Sequence, residues 1–240
     1  MQSQLLFFLF FAMLSLFNVD SSAGRSSGPK KGLVRQCVSD DELANAVVSL
    51  SRQYDEAQVA QRLLRQSAKR SSACRRQVVA AVMGAMNKPN LDISRDQAFA
   101  NLWREGAVLL GDLKATQSLD LLLSHIKMMD GGFTLTMTHQ PALEGIIRMG
   151  TLAIPKLKPL LQSKDWQTRH YAVYCLFWIG GTSARRELER ALPMETDRCV
   201  KKFLSVSIKT MRGAKETIRG TNDQSEWVMS FMCTSGVDGR

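Results

Sequence analysis

Apolar residues recur every three or four positions along most of this chain, which is the spacing of one face of an α-helix. The first clear case follows Ser39: three acidic residues come next, and then Leu43, Ala46, Val47 and Leu50. A serine followed by acids is typical of a helix start. Further helices are predicted over 56–67, 73–86, 95–110, 115–127, 141–149, 152–162, 166–179, 183–192 and 196–211. No convincing run of strands accompanies them, so the pattern predicts an all-α protein built of short helices.

Three glycines mark a repeat in this pattern. Gly111, Gly150 and Gly180 each follow a large apolar residue, and Gly150 and Gly180 are 30 residues apart. Small and apolar residues follow Gly111 and Gly180 at the same offsets: Ala115, Leu119, Leu122 and Leu123 in one case, and Ala184, Leu188, Ala191 and Leu192 in the other. The longer interval between Gly111 and Gly150 contains an extra stretch, residues 128–138, whose alternating pattern suits a short extended segment. This insertion is predicted either to fold back over the helices or to project as a hydrophobic contact loop.

The repeat predicts how the helices are arranged. A pair of short helices cannot bury its own apolar stripe, so it must stack on further copies of itself. We therefore expect a right-handed α-solenoid of about four to five helical pairs over residues 39–212, with each glycine ending a first helix in a left-handed cap. Residues 213–240 are mostly polar and are expected to form a mobile tail, in which Trp227 to Cys233 is a possible docking segment.

The clearest repeat resembles a known family. Residues 165–180 have an opening Asp165, then Arg169 four residues later, a following alanine, and an apolar residue before the final glycine. This is similar to the bacterial HEAT-like repeats first described in phycobiliprotein lyases, and Thr168 and Phe177 depart from the usual pattern. The resemblance implies an armadillo-like helical stack, strongest over residues 95–212, in which Asp165 and Arg169 form a structural pair between repeats.

Enzymatic relatives of such stacks are poor matches to this chain. HEAT-like deoxyhypusine hydroxylases need repeated His-Glu pairs to hold iron, but His125, His139 and His170 are each followed by another residue type. Lyase chemistry and DNA repair, as in alkylpurine glycosylases, stay as remote alternatives. Met-x-x-Met at Met83 and at Met229 could hold Cu(I), although methionine at helical spacing is usually core filler. We therefore predict no catalytic, cofactor-binding or metal-binding residues.

The N-terminal segment predicts export. Residues 5–17 form an apolar run too short for a comfortable membrane span, and Ser21, Ser22 and Ala23 provide small residues for cleavage by signal peptidase. Residues 1–23 are therefore predicted to be a signal peptide, with an uncleaved anchor or a buried helix as the alternatives. A flexible basic linker over 24–38 follows, and the mature protein is expected in the periplasm or outside the cell.

Cysteine usage agrees with an oxidising location but does not fix a pairing. The five residues are Cys37, Cys74, Cys175, Cys199 and Cys233, and the odd number leaves at least one thiol unpaired within a monomer. No Cys-x-x-Cys motif is present, which argues against zinc ribbons and thioredoxin-type chemistry. Each cysteine suits a buried position, and Cys37 and Cys74 are the two to test for a bridge.

Charge gives the main candidate for a binding surface. The net charge is +10, which favours association with anionic partners. Residues 57–91 contain no acid but seven cations: Arg62, Arg65, Lys69, Arg70, Arg75, Arg76 and Lys88. They form either an ordinary solvated face or a surface for an acidic partner. No aromatic residue lies between Tyr54 and Phe99, so bases of single-stranded nucleic acid have no stacking platform there.

The expected second helices of the repeats supply a further candidate surface. These helices usually line the concave side of a solenoid, and they carry Lys156, Lys158, Arg185 and Arg186. The sequence therefore predicts a non-enzymatic scaffold of the cell envelope that binds another protein along the solenoid. The alternative is a polyanion-binding module that uses the cations over 62–76, and its binding would depend more steeply on salt.

Overall fold

The computed structural model describes residues 37–88, 95–129 and 140–213 of the chain. Within these ranges the secondary structure is helical and contains no strand, so the all-α prediction is confirmed. The predicted signal peptide and nearly all of the linker lie outside the described residues. The same is true of the insertion from residue 130 onward and of the tail beyond Gly213.

The helices follow one another with short connections. The α-helices are α1 Asp40–Ser49, α2 Tyr54–Arg70, α3 Ser72–Met86, α4 Gln97–Asp112, α5 Leu119–Ser124, α6 Pro141–Met149, α7 Ile154–Leu157, α8 Trp166–Ile179, α9 Gly181–Ala191 and α10 Arg198–Gly213. Short 3₁₀ turns at Thr116–Ser118, Gly150–Ala153, Lys158–Gln162 and Leu192–Met194 flank several of them. Each segment predicted from periodicity and covered by the described residues overlaps one of these helices.

The side chains of N-cap residues fix the first residue of several helices. The Oγ of Ser39 accepts a hydrogen bond from the backbone N–H of Glu42 at 3.2 Å, as its position in the sequence suggests. The carboxylate of Asp96 accepts one from Phe99 at 3.0 Å at the start of α4. These contacts satisfy backbone donors that have no partner within the helix.

The three repeat glycines do not have the same role. Gly150 and Gly180 have φ of +66° and +72°, as the expected turns require, but their ψ of −140° and −171° are extended rather than those of a left-handed cap. The expected cap at Gly111 is wrong, because Gly111 lies inside α4 and lacks a positive φ. The positive φ near that turn belongs to Lys114, at +53°.

Gly111 is needed for a close contact between helices. A Cβ at this position would lie 2.6 Å from the carbonyl oxygen of Gly145 in α6. A Cβ on Gly145 would in turn lie 2.8 Å from the carbonyl oxygen of Ala107. Since real Cβ atoms do not approach backbone this closely, the crossing of α4 and α6 requires glycine on both helices.

Alternate helices pack against one another in chain order. Helix α2 contacts α4, α4 contacts α6, α6 contacts α8, and α8 contacts α10, with the α4–α6 contact the most extensive. The intervening helices α3, α5 and α9 pack beside this series, and α1 packs on α2 and α3. The core runs through all of these contacts, with Trp103 of α4 and Phe203 of α10 among its largest fully buried side chains.

A disulfide closes the N-terminal part of the fold. Cys37 is bonded to Cys74, with 5.1 Å between their Cα atoms, so the segment before α1 is joined to the start of α3. This is the pair that the sequence singled out for testing. Cys199 is disulfide-bonded as well, and Cys175 is the free cysteine among the described residues. Burial raises the pKa of the Cys175 thiol, which therefore stays protonated.

The glycine contact between α4 and α6 predicts a large loss of stability on substitution. Gly145→Ala should lower the free energy of unfolding by about 2–3 kcal/mol, because the added methyl forces two backbones apart. Urea denaturation followed by circular dichroism measures this. Gly84→Ala is the control, since a Cβ on Gly84 of α3 meets no atom within 4 Å. It should be neutral or raise stability by about 1 kcal/mol, and equal losses in both variants would contradict the role given to Gly145.

His170 predicts a dependence of stability on pH. Its ring is buried and stacks on Phe203 at 4.8 Å, and burial lowers its pKa to about 4, against an opposing effect of Asp197. The unfolded chain therefore binds the proton at higher pH than the folded one. The contribution of neutral, buried His170 to the free energy of unfolding should be complete above pH about 6.5. It should decrease between pH about 6.5 and pH about 4, by at most about 1.4 kcal/mol per pH unit. The difference between wild type and His170→Gln, measured by urea denaturation across this range, should shrink as pH falls; a constant difference would contradict the assignment.

Candidate functional site

The cations predicted from the acid-free run lie on the hairpin of α2 and α3. Arg62, Lys69 and Arg70 are exposed on α2, and Arg75 and Arg76 are exposed on α3. Lys88 is exposed just after α3, whereas Arg65 is only half-exposed. The hairpin thus brings most of the predicted cations to the protein surface.

Two of these cations are held by the fold itself. A guanidinium nitrogen of Arg65 lies 2.7 Å from a carboxylate oxygen of Asp112, at the end of α4. The guanidinium of Arg75 donates a hydrogen bond to the carbonyl of Leu113. Positive charge is favourable at a helix C-terminus, where carbonyl groups lack partners. Arg65 and Arg75 therefore attach the hairpin to α4 and are less available to a partner than the sequence suggested.

The remaining cations define what we call the α2–α3 basic surface: Arg62, Lys69, Arg76 and Lys88. None of these four forms an ion pair with another residue in the described ranges. Arg70 already takes part in another interaction, so it is left out of this set. Acids border the surface on one side, because Asp40 at the start of α1 accepts a hydrogen bond from Gln77 of α3 at 2.7 Å.

The cations predicted on the second helices mostly link one helix to the next. The ammonium of Lys156 lies 2.7 Å from a carboxylate oxygen of Asp120 in α5. Lys158 lies 3.8 Å from the carboxylate of Glu187 in α9. Arg185 pairs within α9, at 3.6 Å from Glu189, and Arg186 is exposed. Three of these four cations therefore have an acid beside them, and Arg186 has no ion pair among the described residues.

Asp165 and Arg169 act between helices but do not pair with each other. Asp165 caps α8 by accepting hydrogen bonds from the backbone N–H groups of Gln167 and Thr168, and it lies 3.1 Å from the ammonium of Lys127. The hydroxyl of Thr168 donates to the same carboxylate at 2.6 Å. That bond, followed by the one from Lys127, lowers the pKa of Asp165 to about 2 despite some opposing burial. Asp165 therefore joins α8 to the chain that precedes it.

Arg169 joins α8 to the chain that follows it. Its guanidinium makes two hydrogen bonds with the carboxylate of Glu195, at 2.7 and 2.8 Å, and two more with the carbonyls of Ser163 and Lys164. The family resemblance implies Asp165 as the acid that pairs with Arg169, whereas the structure has Glu195 in that role. Glu195 lies just before α10, and the sequence marks it only weakly, as an acid in the short break before the last periodic segment.

A buried carboxylate lies between α2 and α4. Glu105 accepts hydrogen bonds from Gln61 at 2.6 Å and from Gln58 at 3.2 Å, and burial raises its pKa. Gln61 also donates to the backbone carbonyl of Glu105 at 3.0 Å. The amide groups hold this carboxylate in place, so its evident role is to fix the contact between the two helices.

In the parts of the chain that the structure describes, no group of three or more His, Cys, Asp or Glu side chains is placed to hold a metal ion. No helix there has the length and apolar character needed to cross a membrane. Met83 is partly buried and Met86 is fully buried against the core, and the second methionine pair lies outside the described residues.

No family model matches the chain, and no curated protein matches it.

Breaking the contact between Arg169 and Glu195 should destabilise the fold. Their side chains are 13% and 3% exposed, so removing one partner leaves the other buried without its counter-charge. Arg169→Gln should therefore lower the free energy of unfolding by about 3 kcal/mol, whereas Arg190→Gln, which removes a surface pair with Glu187, should cost under about 1 kcal/mol. Urea denaturation of both variants, of Glu195→Gln and of the Arg169→Gln/Glu195→Gln double variant gives the coupling. Additive losses at positions 169 and 195 would show that the pair is not a unit.

Proposed function

We propose that this protein is a short HEAT-like α-solenoid that acts as a non-enzymatic interaction scaffold outside the cytoplasm. Its partner is an acidic segment of another protein, which binds the α2–α3 basic surface. The observation that carries this proposal is the exposure of Arg62, Lys69, Arg76 and Lys88 without a counter-charge in the described residues. The four positive charges repel one another, and an anionic group bound over them reduces this repulsion.

The order of helix contacts supports the solenoid. In a stack of helical hairpins, the first helix of each pair packs on the first helix of the next pair. The contacts from α2 through α4, α6 and α8 to α10 have this order. Lys127 to Asp165 and Arg169 to Glu195 likewise connect α8 to the chain before and after it.

The disulfide supports a location outside the cytoplasm. Structural disulfides persist in oxidising compartments and are uncommon in the cytosol. Cys37 and Cys74 are bridged, and Cys199 is bridged as well. Together with the predicted signal peptide, this favours the periplasm or the extracellular space as the place where the partner is met.

The distribution of charge supports the choice of surface. Two of the cations predicted on the second helices have acids opposite them on another helix, as at Lys156 with Asp120 and Lys158 with Glu187. Those ion pairs are used within the protein, and a partner would have to replace them. At the α2–α3 basic surface a partner's carboxylates meet cations that have no ion-pair partner within the described residues, so steering and binding are both favoured there.

A pair of charge-matched variants tests the proposal. The first is Arg62→Gln/Lys69→Gln/Arg76→Gln/Lys88→Gln, which removes the α2–α3 basic surface. The control is Lys156→Gln/Lys158→Gln/Lys164→Gln/Arg186→Gln, which removes four exposed cations from the region of α7 to α9. Poly-L-glutamate serves as the acidic polypeptide probe, and its binding is measured by isothermal titration calorimetry on the full chain. The first variant should bind about tenfold more weakly, a loss of about 1.4 kcal/mol, and the control should stay near wild type.

Both variants are expected to keep the wild-type helical spectrum and melting temperature within a few degrees, because exposed charges contribute little to stability. Equal weakening in the two variants would show that only net charge matters. Loss of binding in the control alone would place the surface on the second helices, as the sequence first suggested.

A polyanion is the second candidate ligand, and the chemistry of the same surface favours it. All four side chains of the α2–α3 basic surface are cationic, and no aromatic residue lies between Tyr54 and Phe99. The surface can therefore bind an anion through charge, but it cannot stack on nucleic-acid bases. Heparin is the probe, used in the same titrations at two salt concentrations. Strong heparin binding that falls steeply with salt, with no measurable binding of poly-L-glutamate, would favour the polyanion.

A further inference from the structure

Helix α10, the last helix that the structure describes, carries a basic face without counter-charges among the described residues. Helix α10 contains no acid, and Arg198, Lys201, Lys202 and Lys209 are exposed on it. None of these four has an ion-pair partner among the residues that the structure describes. In the sequence this face leaves only a weak signal, because its cations are interspersed with residues that are buried in the fold.

The reason for the missing counter-charges is the place of α10 in the fold. Several cations of the preceding helices pair with acids on another helix, as Lys156 does with Asp120. Helix α10 is the last of the described helices, and its outward face has no following described helix to supply acids. Arg212, on the side toward α9, is the residue of α10 that does find one, at 2.9 Å from Glu189.

An apolar groove lies beside this face, between α9 and α10. It has a volume of about 310 Å³ and is lined by Glu189, Leu192, Ser205, Ile208, Lys209 and Arg212. Leu192 is the partly exposed apolar side chain of this lining, whereas Ile208 is buried, at 5% exposure. The carboxylate of Glu189 is matched by Arg212 at 2.9 Å and by Arg185 at 3.6 Å, so the groove edge is cationic on balance.

We propose that this groove and the adjoining face of α10 bind an acidic amphipathic segment of a partner protein. An apolar side chain of the segment would contact Leu192 in this groove. Carboxylates beside it would pair with Lys209, Lys202 and Lys201. The apolar contact distinguishes this surface from the α2–α3 basic surface, where the recognition elements are charges.

The inference extends the proposed scaffold function and is separable from it. The two surfaces lie on the first and last parts of the described fold, and they would engage two segments of one partner or two partners. If both are used by one acidic partner, the second contact becomes intramolecular and raises the overall affinity. Each surface can be removed without touching the other, so failure of one does not entail failure of the other.

The probe for this surface is a fluorescein-labelled helical peptide built from Glu-Glu-Leu-Leu repeats. Its control is a peptide of the same length with every leucine replaced by serine, which keeps the charge and removes the apolar side chains. Fluorescence anisotropy with the full chain should show at least about fivefold tighter binding of the leucine peptide, a difference of about 1 kcal/mol. Equal binding of the two peptides would overturn the proposal, because charge alone would then account for it.

Variants place the site on the chain. Leu192→Ser and Lys209→Gln should each weaken binding of the leucine peptide by about fivefold or more. Leu152→Ser and Lys164→Gln are the matched controls, since both residues are exposed and neither lines the groove. The quadruple α2–α3 variant should bind the leucine peptide nearly as well as wild type.

Because Leu192 contacts the core, Lys209→Gln keeps the test decisive if Leu192→Ser unfolds. Wild-type affinity in Lys209→Gln, or equal weakening in the control variants, would overturn the proposal. Loss of binding in the α2–α3 variant alone would support the proposed function and reject this second surface.

Discussion

The crossing of α4 and α6 is the contact on which the rest of the fold depends. Gly111 and Gly145 allow backbone to meet backbone there, and Ala107 completes the contact. Every later helix of the alternating series builds outward from α6, and the α2–α3 hairpin is attached to α4 from the other side. The helix that forms the crossing also ends at Asp112, which holds Arg65 of α2 and Arg148 of α6 together. One short stretch of chain thus fixes both the spacing of the helices and the charge contacts across them.

Charge in this protein is divided between holding the fold and facing solvent. Arg169 is the clearest structural case, since its guanidinium is enclosed by Glu195 and by two backbone carbonyls. Arg62 and Lys202 represent the other class, because both are exposed and neither has an ion-pair partner in the part of the chain that the structure describes. The distinction depends on neighbours in space, so a net charge of +10 says little about which residues are available to a partner.

The helices were predictable because each buries one stripe at a regular spacing, and this local signal survives in the folded chain. The turns at Gly150 and Gly180 were predictable for a similar reason, since a positive φ favours glycine. Gly111 was misread because a glycine that permits a close approach looks the same in sequence as one that ends a helix. The partner of Arg169 was missed because Glu195 is 26 residues away, and no pattern within the chain connects the two. The candidate cations were found as a run, but only their three-dimensional neighbours separate Arg65 and Arg75 from the others.

Cys175 has a consequence for how the protein acquires its covalent structure. A chain with an odd number of cysteines is exposed to exchange between thiols and disulfides, in which a thiolate attacks an existing bridge. In the folded protein this thiol is fully buried in α8 and its pKa is raised, so it is neither charged nor accessible. Packing of α8 therefore protects the bridges that have already formed, including the one between Cys37 and Cys74 far from it in sequence. Loss of packing around α8 would expose the Cys175 thiol and allow it to exchange with existing bridges. The resulting non-native or intermolecular disulfides would persist after the helices had refolded.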